Sequence, residues 1–463
     1  MLVYAVILVV WMRPAVGEGT LVVHAPAGSI RGVPAPDGDY VMFLGIPYAR
    51  VNASNPFGAA IPHEKFDKVF DASEESPVCP QLKEEFNLKK KRKSAYDGTL
   101  DCLRLNIFVP KSETKNKAAY IYVYGGMFKY GHSLMEIYGP KYLVRHDIIM
   151  VTFNFRSGPY GFMCTDIPEI PGNQGLRDQY AAIEWVRDNI RAFGGDPQKL
   201  TLGGHSSGSI LVDTHLLTDR PRLFQQAILQ SGSNMYPGFL HRSDPTRLLS
   251  IASDLGFETN DTSSALSFLA SASPKSVIEA SEKGSDLLDI VHRFYVDDAD
   301  REIDKYAIID MISDYSHLYP MQRQMIKYAK HRNTSVYLYL FSYSGHLNRM
   351  KNALNITEGG AAHSDELGYM FTMDFIPDTT YRAEQLMIDR MTTLWANFVK
   401  YGNPTPVKSE LLPVSWPPLT ADSVPCLQID TNMTVISRPF RRRMAFWDLL
   451  FDAHLDEILM ARA

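Results

Sequence analysis

The chain predicts an α/β fold, with a central mostly parallel sheet and helices on both faces. Three observations carry this expectation. Apolar, β-rich runs alternate with helical stretches through the first half. A glycine-flanked serine stands where one such run meets a helix-compatible stretch. The composition, 45% hydrophobic and 21% charged over 463 residues, supplies enough apolar side chain for a sizeable core.

From the amino terminus, residues 2–11 are apolar but too few to span a bilayer, and Ala15-Val16-Gly17 follows as a small-x-small cleavage pattern. Residues 1–17 are therefore expected to be a secretory signal, and 18–463 a single domain. A basic n-region is missing, and a buried N-terminal strand is the competing reading. Sequons beginning at Asn52, Asn260, Asn333, Asn355 and Asn432 favour secretion. No second apolar run reaches spanning length, and Ala461-Arg462-Ala463 is not an ER-retention ending. The expected location is extracellular or luminal, with no membrane span after signal removal.

The net charge of −5 gives no reason to expect a polyanionic partner. The basic run Lys89-Lys90-Lys91-Arg92-Lys93 has no aromatic interleaving, so it reads as a solvated loop and nucleic acid is excluded. The four cysteines, Cys79, Cys102, Cys164 and Cys426, show no CxxC spacing, which argues against zinc or a dithiol motif. Three pairings remain open to them on sequence alone.

Residues 119–124, 148–155, 200–202, 227–229 and 336–341 read as strands. Residues 175–193 read as an amphipathic helix, with Leu176, Tyr180, Ile183, Val186 and Ile190 at helical spacing. Gly194-Gly195-Asp196-Pro197 ends it. No composition break marks a domain boundary.

The strand at 200–202 runs into Gly203-Gly204-His205-Ser206-Ser207-Gly208, and a helix-compatible stretch follows. This is G-x-S-x-G in the setting that gives it meaning. A sharp strand-to-helix turn needs small residues on either side and lifts the serine hydroxyl above the sheet. A serine nucleophile also needs donors where the carbonyl oxygen becomes negative. Gly125-Gly126-Met127-Phe128, after the strand at 119–124, is a glycine-rich turn. The N–H groups of Gly126, Met127 and Ser207 are the candidate oxyanion hole.

The chain resembles the carboxylesterase/cholinesterase (type B) family from about Leu21 to Phe451. The resemblance is carried by Gly28-Ser-Ile-Arg-Gly32, Phe43-Leu-Gly-Ile-Pro-Tyr-Ala49 and Asp101-Cys-Leu-Arg-Leu-Asn106. It continues through Gly172-Asn-Gln-Gly-Leu-Arg-Asp-Gln179, Trp185-Val186, Phe193-Gly-Gly-Asp-Pro197, Trp395-Ala-Asn-Phe398, Tyr401-Gly-Asn-Pro404 and Phe446-Trp447. It implies an α/β-hydrolase fold and hydrolysis of small-molecule carboxylic esters through a serine acyl-enzyme, with no metal or organic cofactor. It also chooses among thirteen histidines. His363, in Gly360-Ala-Ala-His-Ser-Asp-Glu-Leu367, matches the family's late histidine and is the implied general base, where His205, His317 and His346 were equally available. The resemblance further implies that Cys79 and Cys102 close a loop, and it leaves Cys164 and Cys426 without a role.

Departures from the family bear on activity. The short acidic-glycine segment that carries the triad acid has no counterpart. Several dozen residues are replaced by little more than residues 284–294, which points to an internal deletion that removes a strand with the acid. Glu282, Asp297 and Asp298 are nearby carboxylates, but solvated roles fit them better, and the acid stays unassigned. Met127 stands where a third small residue is usual, so its side chain is expected to crowd the acyl pocket. His205 replaces a glutamate before the serine. The loop at 89–96 offers no tryptophan to hold a quaternary ammonium, so choline esters are not expected substrates. A non-catalytic binding or adhesion ectodomain on the same fold, like the neuroligins, is the rival reading.

Overall fold

The structure, a computed structural model, describes residues 21–82, 96–236, 243–281, 305–331, 334–376, 381–420 and 422–460. The signal-like segment, the basic run, Asn333, Glu282, Asp297 and Asp298 lie outside the described residues.

Among the described residues seven strands share one sheet: β1 (Val33–Pro34), β2 (Tyr40–Pro47), β3 (Arg104–Pro110), β4 (Lys117–Val123), β5 (Ile149–Phe153), β6 (Gly195–His205) and β7 (Gln226–Gln230). Their order is β7-β6-β4-β5-β3-β2-β1. Every residue of β4 and β5 is buried, as expected of strands covered on both faces. The sheet is mixed. The four strands β5, β4, β6 and β7 pair in parallel, whereas β3 pairs antiparallel with both β5 and β2. The parallel half carries the serine elbow.

Helix α1 (Gln174–Asn189) buries Gly175, Ala182, Ile183, Val186 and Asn189 along one stripe. Of the positions expected from the sequence, Ile183, Val186 and Ile190 are buried, whereas Leu176 and Tyr180 are half-buried at its margin. A 3₁₀ turn (Ile190–Phe193) extends it, and Gly194 at φ 81 ends it in the left-handed conformation open to glycine. The stop is thus one residue long, because β6 begins at Gly195. The same helix supplies Asp178 to a fully buried pair. Arg156 Nε and Nη2 each donate to Asp178 at 2.7 Å, and Nη1 donates to the carbonyls of Pro56 and Gly58 at 2.8 Å. Cys79 and Cys102 are joined by a disulfide, with Cα atoms 5.0 Å apart. Cys164 and Cys426 are free thiols.

The strand expected at 336–341 forms as β8 (Leu338–Phe341), but outside the central sheet. It pairs in parallel with β9 (Cys426–Ile429), which pairs antiparallel with β10 (Thr434–Ile436). Among the described residues no strand bridges β7 to β8. Between them lies a cavity of about 1190 Å³, lined by Ile228 and Leu229 on one side and Leu338 and Tyr339 on the other, with His363 at its wall.

Candidate active site

Strand β6 ends at His205 and helix α2 (Ser207–Leu217) begins two residues later, so Ser206 alone turns the chain. It does so at φ 56, ψ −127, a conformation that residues with a Cβ adopt only under strain. The flanking glycines have no room for a side chain. A Cβ at Gly204 would lie 2.7 Å from the backbone of Gly208, and one at Gly208 would lie 2.3 Å from the Val123 carbonyl oxygen. Ser206 N–H donates to the Gln230 carbonyl at 2.8 Å, tying the turn to β7.

Parallel register sets what stands beside it. Val123 of β4 lies opposite Gly204 of β6, so both chains leave the sheet at one edge, and Gly125 and Ser206 follow two residues later. A Cβ on Gly125 would fall 2.5 Å from the His205 carbonyl oxygen and 2.9 Å from Ser206 Cβ. Only glycine lets the turn pass this close. Gly126, Met127 and Phe128 then run at φ 145, 54 and 63. Successive residues of positive φ point their N–H groups into one concavity, the kind that receives anions. Within it, Gly126 N–H donates to Ser207 Oγ at 3.0 Å and Phe128 N–H to the same oxygen at 3.4 Å. Met127 N–H meets no acceptor among the described residues. The Met127 side chain is 62% exposed and stands open to solvent.

His363 precedes a 3₁₀ turn (Asp365–Tyr369) and is held by the buried Asp365. That carboxylate accepts from the N–H groups of Ala362 (2.6 Å), Met350 (2.8 Å) and Lys351 (3.1 Å) and from Asn348 Nδ2 (2.9 Å). The His363 ring lies 4.6 Å from that of His205 and 4.9 Å from that of His317, centroid to centroid. His363 thus stands beside the elbow, although no hydrogen bond joins it to Ser206 among the described residues.

Electrostatics keep these rings neutral. Enclosure by protein, then His317 and Arg349, hold His363 well below the ordinary histidine range. His363 is exposed along the cavity wall, which weakens the desolvation, but the cationic Arg349 pushes in the same direction. Burial also lowers His317, and burial with His363, Arg349 and His317 lowers His205. Glu366 is pushed up to about 7 by burial. It accepts from Gln230 Nε2 at 3.4 Å and lies 4.0 Å from His205 Nε2, which also hydrogen-bonds Ser364 Oγ at 3.2 Å.

Ser206, Gly126, Met127 and Ser207 are brought together, and His363 lies next to them. None of the described carboxylates hydrogen-bonds His363. Sequence reasoning gave no role to Glu366, His317 or the Ser207 side chain. Glu366 stood inside the histidine motif, but its partner His205 lies 161 positions away in sequence. Asn260, Asn355 and Asn432 are exposed and Asn52 is half-buried. No group of three or more His, Cys, Asp or Glu among the described residues is placed to hold a metal, and no described helix is long and apolar enough to cross a membrane.

A serine elbow at the edge of parallel strands, beside a glycine turn with convergent amides, defines an α/β-hydrolase. The chain belongs to the carboxylesterase family, whose model matches residues 19–296 and 283–447, and by family it is a carboxylic ester hydrolase. It is 26% identical over 539 aligned positions to acetylcholinesterase of Bungarus fasciatus, covering 93% of this chain and 86% of that protein. To esterase B1 of Culex pipiens it is 36% identical over 273 positions, 57% of this chain and 49% of that one. The fold is similar to the crystal structure of juvenile hormone esterase from Manduca sexta with OTFP covalently attached. That match has a TM-score of 0.79 at 23% identity and covers 93% and 99% of the two chains.

Proposed function

We propose that the chain hydrolyses small-molecule carboxylic esters in two steps through Ser206. Ser206 Oγ attacks the carbonyl carbon while His363 takes its proton. The N–H groups of Gly126, Met127 and Ser207 hold the oxyanion, and the alcohol leaves with the proton from His363. Water, deprotonated by His363, then releases the acid and frees Ser206. The observation that carries this reading is the strained φ 56, ψ −127 of Ser206 beside the Gly125-Gly126 turn. A neutral His363 is the form a general base requires. The test is intact mass after reaction with a fluorophosphonate, together with turnover of p-nitrophenyl acetate. One adduct on the wild type and none on Ser206→Ala is expected; an adduct that persists in Ser206→Ala removes the assignment.

The triad acid remains without a candidate, so hydrolysis is expected to be weak. An internal deletion between the serine and the histidine is part of this reading. Its supports are the two-piece family match, an alignment of 539 positions against a chain of 463 residues, and the unbridged β7 and β8. The lack of a carboxylate on His363 among the described residues favours the second reading, a non-catalytic binding ectodomain. Failure of folded wild type to take up the fluorophosphonate decides for it. We place the protein in the secretory pathway, on the basis of the signal-like segment and the sequons. A mass loss on enzymatic deglycosylation of protein from a eukaryotic host tests that placement.

A further inference from the structure

We infer that the Ser207 hydroxyl competes with the substrate for the oxyanion-binding amides and restrains acylation. The inference rests on the serine-esterase reading above.

Ser207 Oγ accepts from the N–H groups of both Gly126 and Phe128, and the Ser207 side chain is buried. It therefore sits in the concavity made by residues 126–128, the place where an anion would be bound. Of the three amides expected to meet the oxyanion, Gly126 N–H is already aimed at another oxygen. The Met127 N–H is not, and Ser207 N–H opens helix α2, where no intrahelical acceptor exists.

The loop is braced against offering Gly126 N–H elsewhere. The Gly126 carbonyl accepts from Lys129 N–H at 2.9 Å and Tyr130 N–H at 3.1 Å. Gln81 clamps Gly131 from both sides, accepting its N–H at 2.7 Å and donating to its carbonyl at 2.9 Å. Gly158 N–H donates to the Phe128 carbonyl at 2.7 Å. The movable part is the Ser207 side chain. For Gly126 N–H to reach a developing oxyanion, Oγ must turn about χ1 and leave both amides. That exchange takes place as charge develops, so it acts on the chemical step and leaves ground-state binding alone.

The experiment is fluorophosphonate labelling of wild type and Ser207→Ala, followed by intact mass over a range of reagent concentrations. In the reaction the Ser206 Oγ–P bond forms, the P–F bond breaks, and the serine proton and fluoride leave to solvent. Freeing one amide from a neutral hydrogen bond is expected to raise the limiting rate five- to tenfold, from about 1 kcal/mol per bond, with the half-saturating concentration unchanged. Ser207→Cys, a poorer acceptor of similar size, is expected to move the rate in the same direction by less, and it keeps the test open if the alanine variant does not fold. An equal or slower limiting rate in a folded variant overturns the inference while the esterase reading stands. Absence of label on folded wild type removes both.

Discussion

His205 Nε2 lies 4.0 Å from Glu366 Oε1 with both side chains buried, so the carboxylate at this site faces the residue before the serine. Burial, helped by the negative charge of Asp365, outweighs the lowering by Gln230 and Arg349 and raises the Glu366 pKa from the ordinary 4.5 to about 7. The unfolded chain therefore releases this proton near pH 4.5 and the folded chain keeps it until about 7. Over that interval raising the pH favours unfolding. Glu366→Gln is expected to gain stability relative to wild type as pH rises from 4.5 to 7, levelling off at roughly 3 kcal/mol. Urea unfolding at pH 5 and pH 8 checks this, and a gap between the proteins that does not widen refutes it.

The Arg156–Asp178 pair predicts a large effect far from any chemistry. Arg156→Met leaves Asp178 buried with no cation and strands two carbonyls, so a loss of about 3–5 kcal/mol is expected. A urea midpoint within error of wild type would contradict this.

Met127 holds φ 54 with its side chain largely in solvent, so it loses little packing and relieves backbone strain when replaced. Met127→Gly is expected to leave stability unchanged or raise it by about 1 kcal/mol. A thermal midpoint lowered by several degrees would show that the thioether packs against the loop.

The Cys79–Cys102 disulfide spans a sequence separation of 23. Cutting it with the double substitution Cys79→Ala, Cys102→Ala is expected to cost about 3 kcal/mol, from the chain-entropy relation for a loop of that length. Comparison with wild type under non-reducing conditions measures it.

What was legible in the sequence follows a physical line. The Ser206 elbow was readable because its steric demands fall on Gly204 and Gly208, within two residues of it. Helix α1 was readable because periodicity is local. His363 was not, since nothing near it in the chain says which strand end it will face; only the family resemblance singled it out. That β8 is a strand could be read from its own residues, but its partner β9 comes from residues some ninety positions later, and its separation from β7 depends on what lies between them. The Ser207 hydroxyl was overlooked because its partners, Gly126 and Phe128, approach from 81 and 79 positions upstream.

Ser206 keeps a Cβ in a backbone conformation that glycine occupies without cost, at an expense of about 1–3 kcal/mol. If Ser206 is the nucleophile proposed above, stability and chemistry pull in opposite directions at this one position. Random substitution usually makes a protein both less active and less robust. On the mechanism proposed above, exchange to glycine would leave the chain inert and sturdier, so a lineage with no use for the hydroxyl has a downhill route away from it.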